Sequence, residues 1–293
     1  MTAVFKTLKE IEDLSRKGFD ISYCWWSRDS PVRIARNENV IVETASTIKL
    51  LIMAKLLHEA EKDRVDIARE MRVTTDSVGR HGSGILQRFS LPESMKIENL
   101  LVLMMCISDN TATNVLIKML GVREINSFAG ELGLENTRLL MEKLDFDDTV
   151  DFSKPLVGQT TAYEMAKLID KILFDDFFSP AYKEKAMTLM KASQTSMIKS
   201  QLLSGERRSL LQQFGSKTGR LAPLEAGKLF VGEAGFIIDQ NNIPHVFAQY
   251  LLSSTGEPAS DTLAKFASAA CLFYDEWRTL DTTHAKKTHS KNT

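Results

Sequence analysis

Ser46-Thr47-Ile48-Lys49 sets a hydroxyl and an amine three residues apart at the start of an apolar helical repeat. A serine hydroxyl is a weak nucleophile until a base takes its proton. Spacing of i to i+3 on a helix brings the amine within one turn of the hydroxyl. A desolvated lysine beside a second cation loses its proton near neutrality and serves as that base. The helix N-terminus favours negative charge developing beside it. The triplet alone carries little, because Ser196-Met197-Ile198-Lys199 has the same pattern.

Ser108-Asp109-Asn110 lies between two apolar helical runs. A serine there can relay a proton to a leaving nitrogen. The asparagine can donate to and accept from a substrate amide. A plain helix-capping turn would read the same way. Lys217-Thr218-Gly219 ends a strand-like run. Its ammonium and hydroxyl suit a substrate carboxylate, and glycine lets the strand backbone approach closely. Among the acids, Glu142 and Asp145 lie in an irregular stretch, 135–159, where either can be a general base or merely a solvated charge. His58, His81, His245, His284 and His289 show no ligand spacing, and the chain has no C-x-x-C pair, so no metal is expected. No Gly-rich phosphate loop appears, so no nucleotide or other cofactor is expected.

The elements that would position these residues follow from periodicity. Thr7–Lys17 reads as an amphipathic helix, Phe19–Ser27 as a strand, and Val32–Val42 as a second strand. Ser46–Glu61 is a helix, with Leu50, Met53, Ala54 and Leu57 at helical spacing. Further helices are expected over Ile97–Ile107, Thr111–Leu120 (capped by Asn110 or Thr111), Val122–Leu132, Ala162–Leu173 and Tyr182–Ala192. Gln212–Lys217, Leu229–Ile238 and His245–Leu252 read as strands, the last two joined by a Gln240-Asn241-Asn242 turn. Ala259–Trp277 closes as an amphipathic helix. The order predicts an α+β fold: an antiparallel sheet flanked by terminal helices, with an inserted all-helical lobe. The sheet lobe would comprise 1–44 and 205–281, the helical lobe 45–204, and 282–293 a disordered tail.

Composition limits the alternatives. The 293 residues carry a net charge of -1 and are 43% hydrophobic, which is ordinary for a soluble globular protein. No basic stripe marks a nucleic-acid partner, and no apolar run approaches the ~18 residues a membrane span needs. Cys24, Cys106 and Cys271 read as free packed thiols. The charged N-terminus lacks an apolar signal core, which predicts a cytoplasmic protein unless an export signal has been removed. Oligomeric state is not legible.

The three triplets, in this order and at a helix start, an interhelical loop and a strand end, resemble the signature set of class A β-lactamases and penicillin-binding proteins. Gly82-Ser83-Gly84-Ile85-Leu86 and Thr160-Thr161-Ala162-Tyr163-Glu164-Met165-Ala166 are similar to further family segments. The resemblance implies a β-lactamase/transpeptidase-like fold. It implies that Ser46 is acylated, Lys49 is its proton partner and Ser108 shuttles the proton to the leaving group. It implies that Asn110 holds the substrate amide and that Lys217 and Thr218, with Gly219 beside them, receive a carboxylate. The N–H groups of Ser46 and Arg220 would form the oxyanion hole. Arg220 is bulkier than the family's usual residue there, and Lys228 is a second candidate for the carboxylate. The chain departs from the family's E-x-x-L-N segment: Glu142 is followed by Leu144 and Asp145, one residue too tight. The implied function is hydrolysis of a β-lactam or related amide through an acyl-serine. An esterase, amidase or D-alanyl-D-alanine peptidase with the same site is one alternative. A β-lactam-binding module that acylates without turnover is the other.

Overall fold

A computed structural model describes residues 18–30, 33–79, 82–145, 154–221, 229–253, 260, 264–268 and 274–275. The expected helix over Thr7–Lys17, the tail 282–293, His81, Cys271 and Lys228 lie outside the described residues.

The fold is α+β, as expected. Five strands form one antiparallel sheet: β1 (Phe19–Ser27), β2 (Arg33–Arg36), β8 (Leu211–Leu221), β9 (Leu229–Asp239) and β10 (Pro244–Ser253). Their spatial order is β2-β1-β10-β9-β8, so both ends of the chain build one sheet and β8 is an edge. Trp25 pairs with Phe247 and Phe19 with Ser253 in the β1–β10 register. Alternation then sends Phe19, Ile21, Tyr23 and Trp25 to one face, where they pack with Phe247, Phe266 and Tyr274. The expected helix Ala259–Trp277 is helical at each described position. The other face, through Phe230, Ala234 and Phe236, meets the helices.

The helical part is built around α1 (Lys49–Glu61). Leu50, Leu51, Ile52, Met53, Ala54, Leu56 and Leu57 are all at 0% exposure, so this helix is apolar on every side and runs through the core. Around it lie α2 (Ile97–Cys106), α3 (Asn110–Leu120), α4 (Val122–Glu131), α5 (Ala162–Phe174) and α6 (Pro180–Lys191), while the short α7 (Lys199–Leu202) packs Leu202 into the core on the sheet's other face. Two small sheets complete the chain, β4 (Glu70–Val73) with β5 (Glu93–Lys96), and β3 (Val42–Glu43) with β6 (Arg138–Leu139) and β7 (Gly158–Thr160).

Three local expectations are corrected. The strand read over Val32–Val42 is two strands in different sheets, because Asn37 turns the chain with φ 50 and donates its amide to Ile21 O at 2.9 Å. The helix read from Ser46 opens with a 3-10 turn over Ala45–Ile48, and α1 proper begins at Lys49. The cap of α3 is Asp109, whose carboxylate accepts from Ala112 N at 2.9 Å, rather than Asn110 or Thr111. Thr161 caps α5 by accepting from Glu164 N at 3.1 Å. Asp239 ties the β9–β10 turn by accepting from Asn241 N and Ile243 N, each at 2.9 Å.

Candidate active site

Ser46 sits in the 3-10 turn just before α1. Residues i and i+3 eclipse in 3-10 geometry, so Ser46 and Lys49 share a face. The turn is held under strain. Ala45 has φ 44, a left-handed conformation that costs a non-glycine residue about 1–3 kcal/mol. The Glu43 carboxylate fixes it, accepting from Ala45 N at 2.7 Å and also from the N–H groups of Leu156, Val157 and Gly158. Burial pushes the Glu43 carboxyl above its ordinary value, and these four N–H groups act against that.

Lys49 is fully buried. Its Nζ donates to Ser108 O at 2.8 Å, Ser108 Oγ at 3.0 Å and Asn110 Oδ1 at 2.7 Å. The first and second triplets therefore meet in one hydrogen-bonded cluster. Only the hydroxyl contact can reverse direction when the amine is neutral, since a carbonyl and an amide oxygen only accept. Burial holds Lys49 well below the ordinary lysine value; the Lys217 ammonium adds to this and Asp109 opposes it.

Ser108 is the second strained residue here, with φ 61. Asp109, between the two functional candidates, is a post. Its Oδ2 accepts from Ile85 N at 2.7 Å and Leu86 N at 2.9 Å. Asn110 N donates to Ser83 O, and Ser83 Oγ to Ser108 O, which fastens the 82–86 segment over the triplet. Gly84 is required there, because a Cβ would stand 2.3 Å from the Asp109 carboxylate.

The third triplet lies on the edge strand β8. Gly219 passes against the Ser46 turn so closely that a Cβ would fall 2.6 Å from Thr44 O and 2.8 Å from Ser46 N. Lys217 is fully buried; burial lowers its pKa to about 8, with Glu233 and then Cys106 acting in the other direction. Its Nζ donates to Thr218 O at 3.2 Å. Thr218 Oγ1 donates to Thr195 Oγ1 at 2.7 Å. Arg220 is exposed at the strand's outer end.

The two acids of the irregular stretch are placed differently. Glu142 is exposed and lines a cavity of about 420 Å³ with Asp76, Lys118 and Val122. Asp145 pairs with Lys143 at 3.3 Å. Between them, Leu144 is turned inward at 1% exposure. Asn114 holds its backbone, accepting from Leu144 N at 2.7 Å. Asn110 and Asn114 are i and i+4 on one face of α3, so residue 144 lies one helical turn from the Lys49 cluster.

Two supporting residues escaped the sequence reading, Glu43 and Glu233. Glu233 had a usable signal: it is a lone acid in the middle of an apolar strand. Among the described residues no group of His, Cys, Asp and Glu could hold a metal ion, and no helix is long and apolar enough to cross a membrane. Cys24 and Cys106 are free thiols.

The chain matches, over residues 3–277, the family model described as the beta-lactamase enzyme family. Among curated proteins it is 24% identical over 159 residues to the beta-lactamases CARB-3 and PSE-4 of Pseudomonas aeruginosa, which is 54% of this chain and 54% of each relative. The match thus spans about half the length of those relatives. Among solved structures, PBP-A superposes with TM-score 0.77 at 22% identity, covering 93% of this chain and 96% of that one. A β-lactamase from Sphaerobacter thermophilus gives 0.76 at 19%, covering 90% and 94%. An ancestral class A β-lactamase gives 0.77 at 19%, covering 92% and 99%. At such identities the likeness is one of fold, and that fold is the class A β-lactamase fold.

Proposed function

The chain belongs to the β-lactamase enzyme family, and from that premise we propose that it is a serine enzyme acylated on Ser46 by a β-lactam or related amide, with slow release of the acyl group. The observation that carries this is the Lys49 amine, fully buried, held below the ordinary lysine value, one turn from Ser46 and bonded to both Ser108 and Asn110.

The neutral Lys49 amine takes the Ser46 proton as Oγ attacks the lactam carbonyl. The N–H groups of Ser46 and Arg220 receive the oxyanion, an arrangement for which Gly219's approach to Ser46 N leaves the room. As the C–N bond breaks, Ser108 passes its proton to the leaving nitrogen and is refilled from Lys49 through their 3.0 Å contact. Asn110 orients Lys49 and the substrate amide. Lys217 and Thr218 hold the substrate carboxylate, and Arg220, exposed beside them, extends the positive rim.

Hydrolysis of the acyl-serine needs a base for water. One turn along α3 from Asn110, Asn114 grips the backbone of Leu144, whose buried side chain is an alkyl group with no acid to offer. Glu142 lines an outer cavity with Lys118, and Asp145 is paired with Lys143. This arrangement supports fast acylation and slow deacylation over efficient β-lactam turnover. A variant of PBP-A has been solved as an acyl-enzyme complex with penicillin G; the same kind of adduct is expected on Ser46. The test is a nitrocefin time course. One rapid equivalent of product per chain, followed by a slow steady state, is expected, and Ser46→Ala abolishes both. Sustained fast turnover with no burst overturns slow release, and a burst in Ser46→Ala overturns the nucleophile.

A further inference from the structure

Glu233 stands in the middle of β9, whose other central residues are apolar, at 0% exposure. A carboxylate in such a place costs several kcal/mol unless it is paired. Four donors converge on it. Ser216 Oγ donates at 2.6 Å, Met197 N at 2.9 Å and Ile198 N at 3.3 Å, together with Ser196 Oγ. In the β8–β9 register Glu233 lies opposite Thr218. Ser216 and Thr218 therefore share its face of the sheet, and the Lys217 side chain leaves from the other.

The carboxylate thus ties the stretch 196–198 to the strand that carries the third triplet. The next residue back is Thr195, whose Oγ1 accepts from Thr218 Oγ1 at 2.7 Å. This also accounts for the second S-x-x-K match. Ser196 is a ligand of Glu233, and its hydroxyl accepts from Lys199 N at 3.1 Å.

We infer that Glu233 is a positioning residue for the carboxylate end of the cleft, locking 195–198 against β8 so that Thr195 and Thr218 form one hydroxyl pair, and balancing the charge of Lys217 through the strand. The inference rests on the acylation reading for its substrate and extends it to recognition. The charged and titratable groups around Lys217 are Glu233 on β9, Cys106 at the end of α2 and Lys49 on α1. Burial pushes the Glu233 carboxyl up and its four donors act against that; ionised, it favours the Lys217 ammonium more than Cys106 does. Thr195, presented by this lock, becomes part of the wall that selects an anionic substrate.

The test compares benzylpenicillin, which carries a carboxylate, with p-nitrophenyl acetate, which does not. In Glu233→Gln, acylation efficiency toward benzylpenicillin at pH 7.5 is expected to fall ~10-fold while the ester changes less than about twofold. Independently, the 13Cε NMR titration of Lys217, assigned with Lys217→Arg, is expected to move to lower pH in Glu233→Gln by roughly one unit. Ser196→Ala, which removes one donor and keeps the charge, is expected to lose benzylpenicillin selectivity while the Lys217 midpoint stays in place. Equal losses on both probes, or an unmoved Lys217 midpoint in Glu233→Gln, overturn the inference; so does parent-like selectivity in Ser196→Ala. A parent that takes no penicilloyl group sinks the acylation reading alone, because the Lys217 titration still decides whether Glu233 balances that charge.

Discussion

Gly219→Ala tests how tightly the edge strand is fitted to the turn that carries Ser46. The added Cβ would meet Thr44 O at 2.6 Å, Ser46 N at 2.8 Å and Ala45 Cβ at 2.9 Å. Ordinary van der Waals contact begins at 3.4 Å, so strand and turn must separate by about 0.8 Å. The turn resists, because Glu43 holds Ala45 N and Thr47 N donates to Thr44 O at 3.0 Å. The strand yields more readily, since β8 is paired on one side only, by β9. Its displacement carries the Arg220 N–H and the Lys217–Thr218 pair away from Ser46. A misplacement of ~1 Å costs on the order of 100-fold in rate, or roughly 2.7 kcal/mol of barrier. Acylation by benzylpenicillin, followed by quenched-flow mass spectrometry, is expected to slow ~10- to 100-fold with the melting transition still cooperative. Gly130→Ala, on α4 with nothing within 4 Å of its Cβ, is the control and keeps the parent rate. A Gly219→Ala protein acylating within about threefold of the parent would refute the reasoning.

Two other perturbations address different steps. Leu144→Glu puts a carboxylate beside Asn114, one turn along α3 from Asn110; deacylation is expected to accelerate by ~10-fold or more, at a stability cost of several kcal/mol for the lost apolar burial and the buried charge together, read by single-turnover release and by denaturant titration. A Leu144→Glu protein that holds its acyl group as long as the parent counts against the placement of residue 144. The pH profile follows from Lys217, whose pKa is lowered to about 8 by burial. Below that value it is a cation and receives the carboxylate; above it the charge is lost. Acylation efficiency toward benzylpenicillin is therefore expected to fall about tenfold per unit above pH 8, as for loss of one proton from the free enzyme, with p-nitrophenyl acetate spared. A flat profile for benzylpenicillin to pH 10, with the fold intact by circular dichroism, contradicts it.

The candidate site residues stood out because they sit at element boundaries that periodicity marks: a helix start, an interhelical loop, a strand end. Local pattern also gave β1 and the long helices, whose apolar faces repeat at 2.0 or 3.6 residues. It failed where a tertiary contact overrides local preference. Nothing near Asn37 in sequence says that its amide reaches Ile21 O and breaks one strand into two. The cap expected at Asn110 or Thr111 falls instead on Asp109, whose carboxylate is also fixed by Ile85 N and Leu86 N, more than 20 residues away. Attention to acids in the irregular stretch favoured Glu142 and Asp145. Yet Asn114 grips the backbone at 144 and turns an alkyl side chain inward, which a list of titratable residues does not contain. The value of Glu43 and Glu233 lies in N–H groups and hydroxyls from distant segments, and only Glu233, a lone acid inside an apolar strand, left a local signal.

In the proposed reaction one hydroxyl, that of Ser46 on the turn leading into the buried helix, takes and keeps the acyl group. The most direct measurement is a peptide-mapped mass-spectrometric time course after mixing the protein with one equivalent of benzylpenicillin. A single penicilloyl group is expected on the peptide bearing Ser46, formed early and still present long after free drug is spent. An adduct on another residue, or complete hydrolysis of the drug with no adduct at any time, would contradict it.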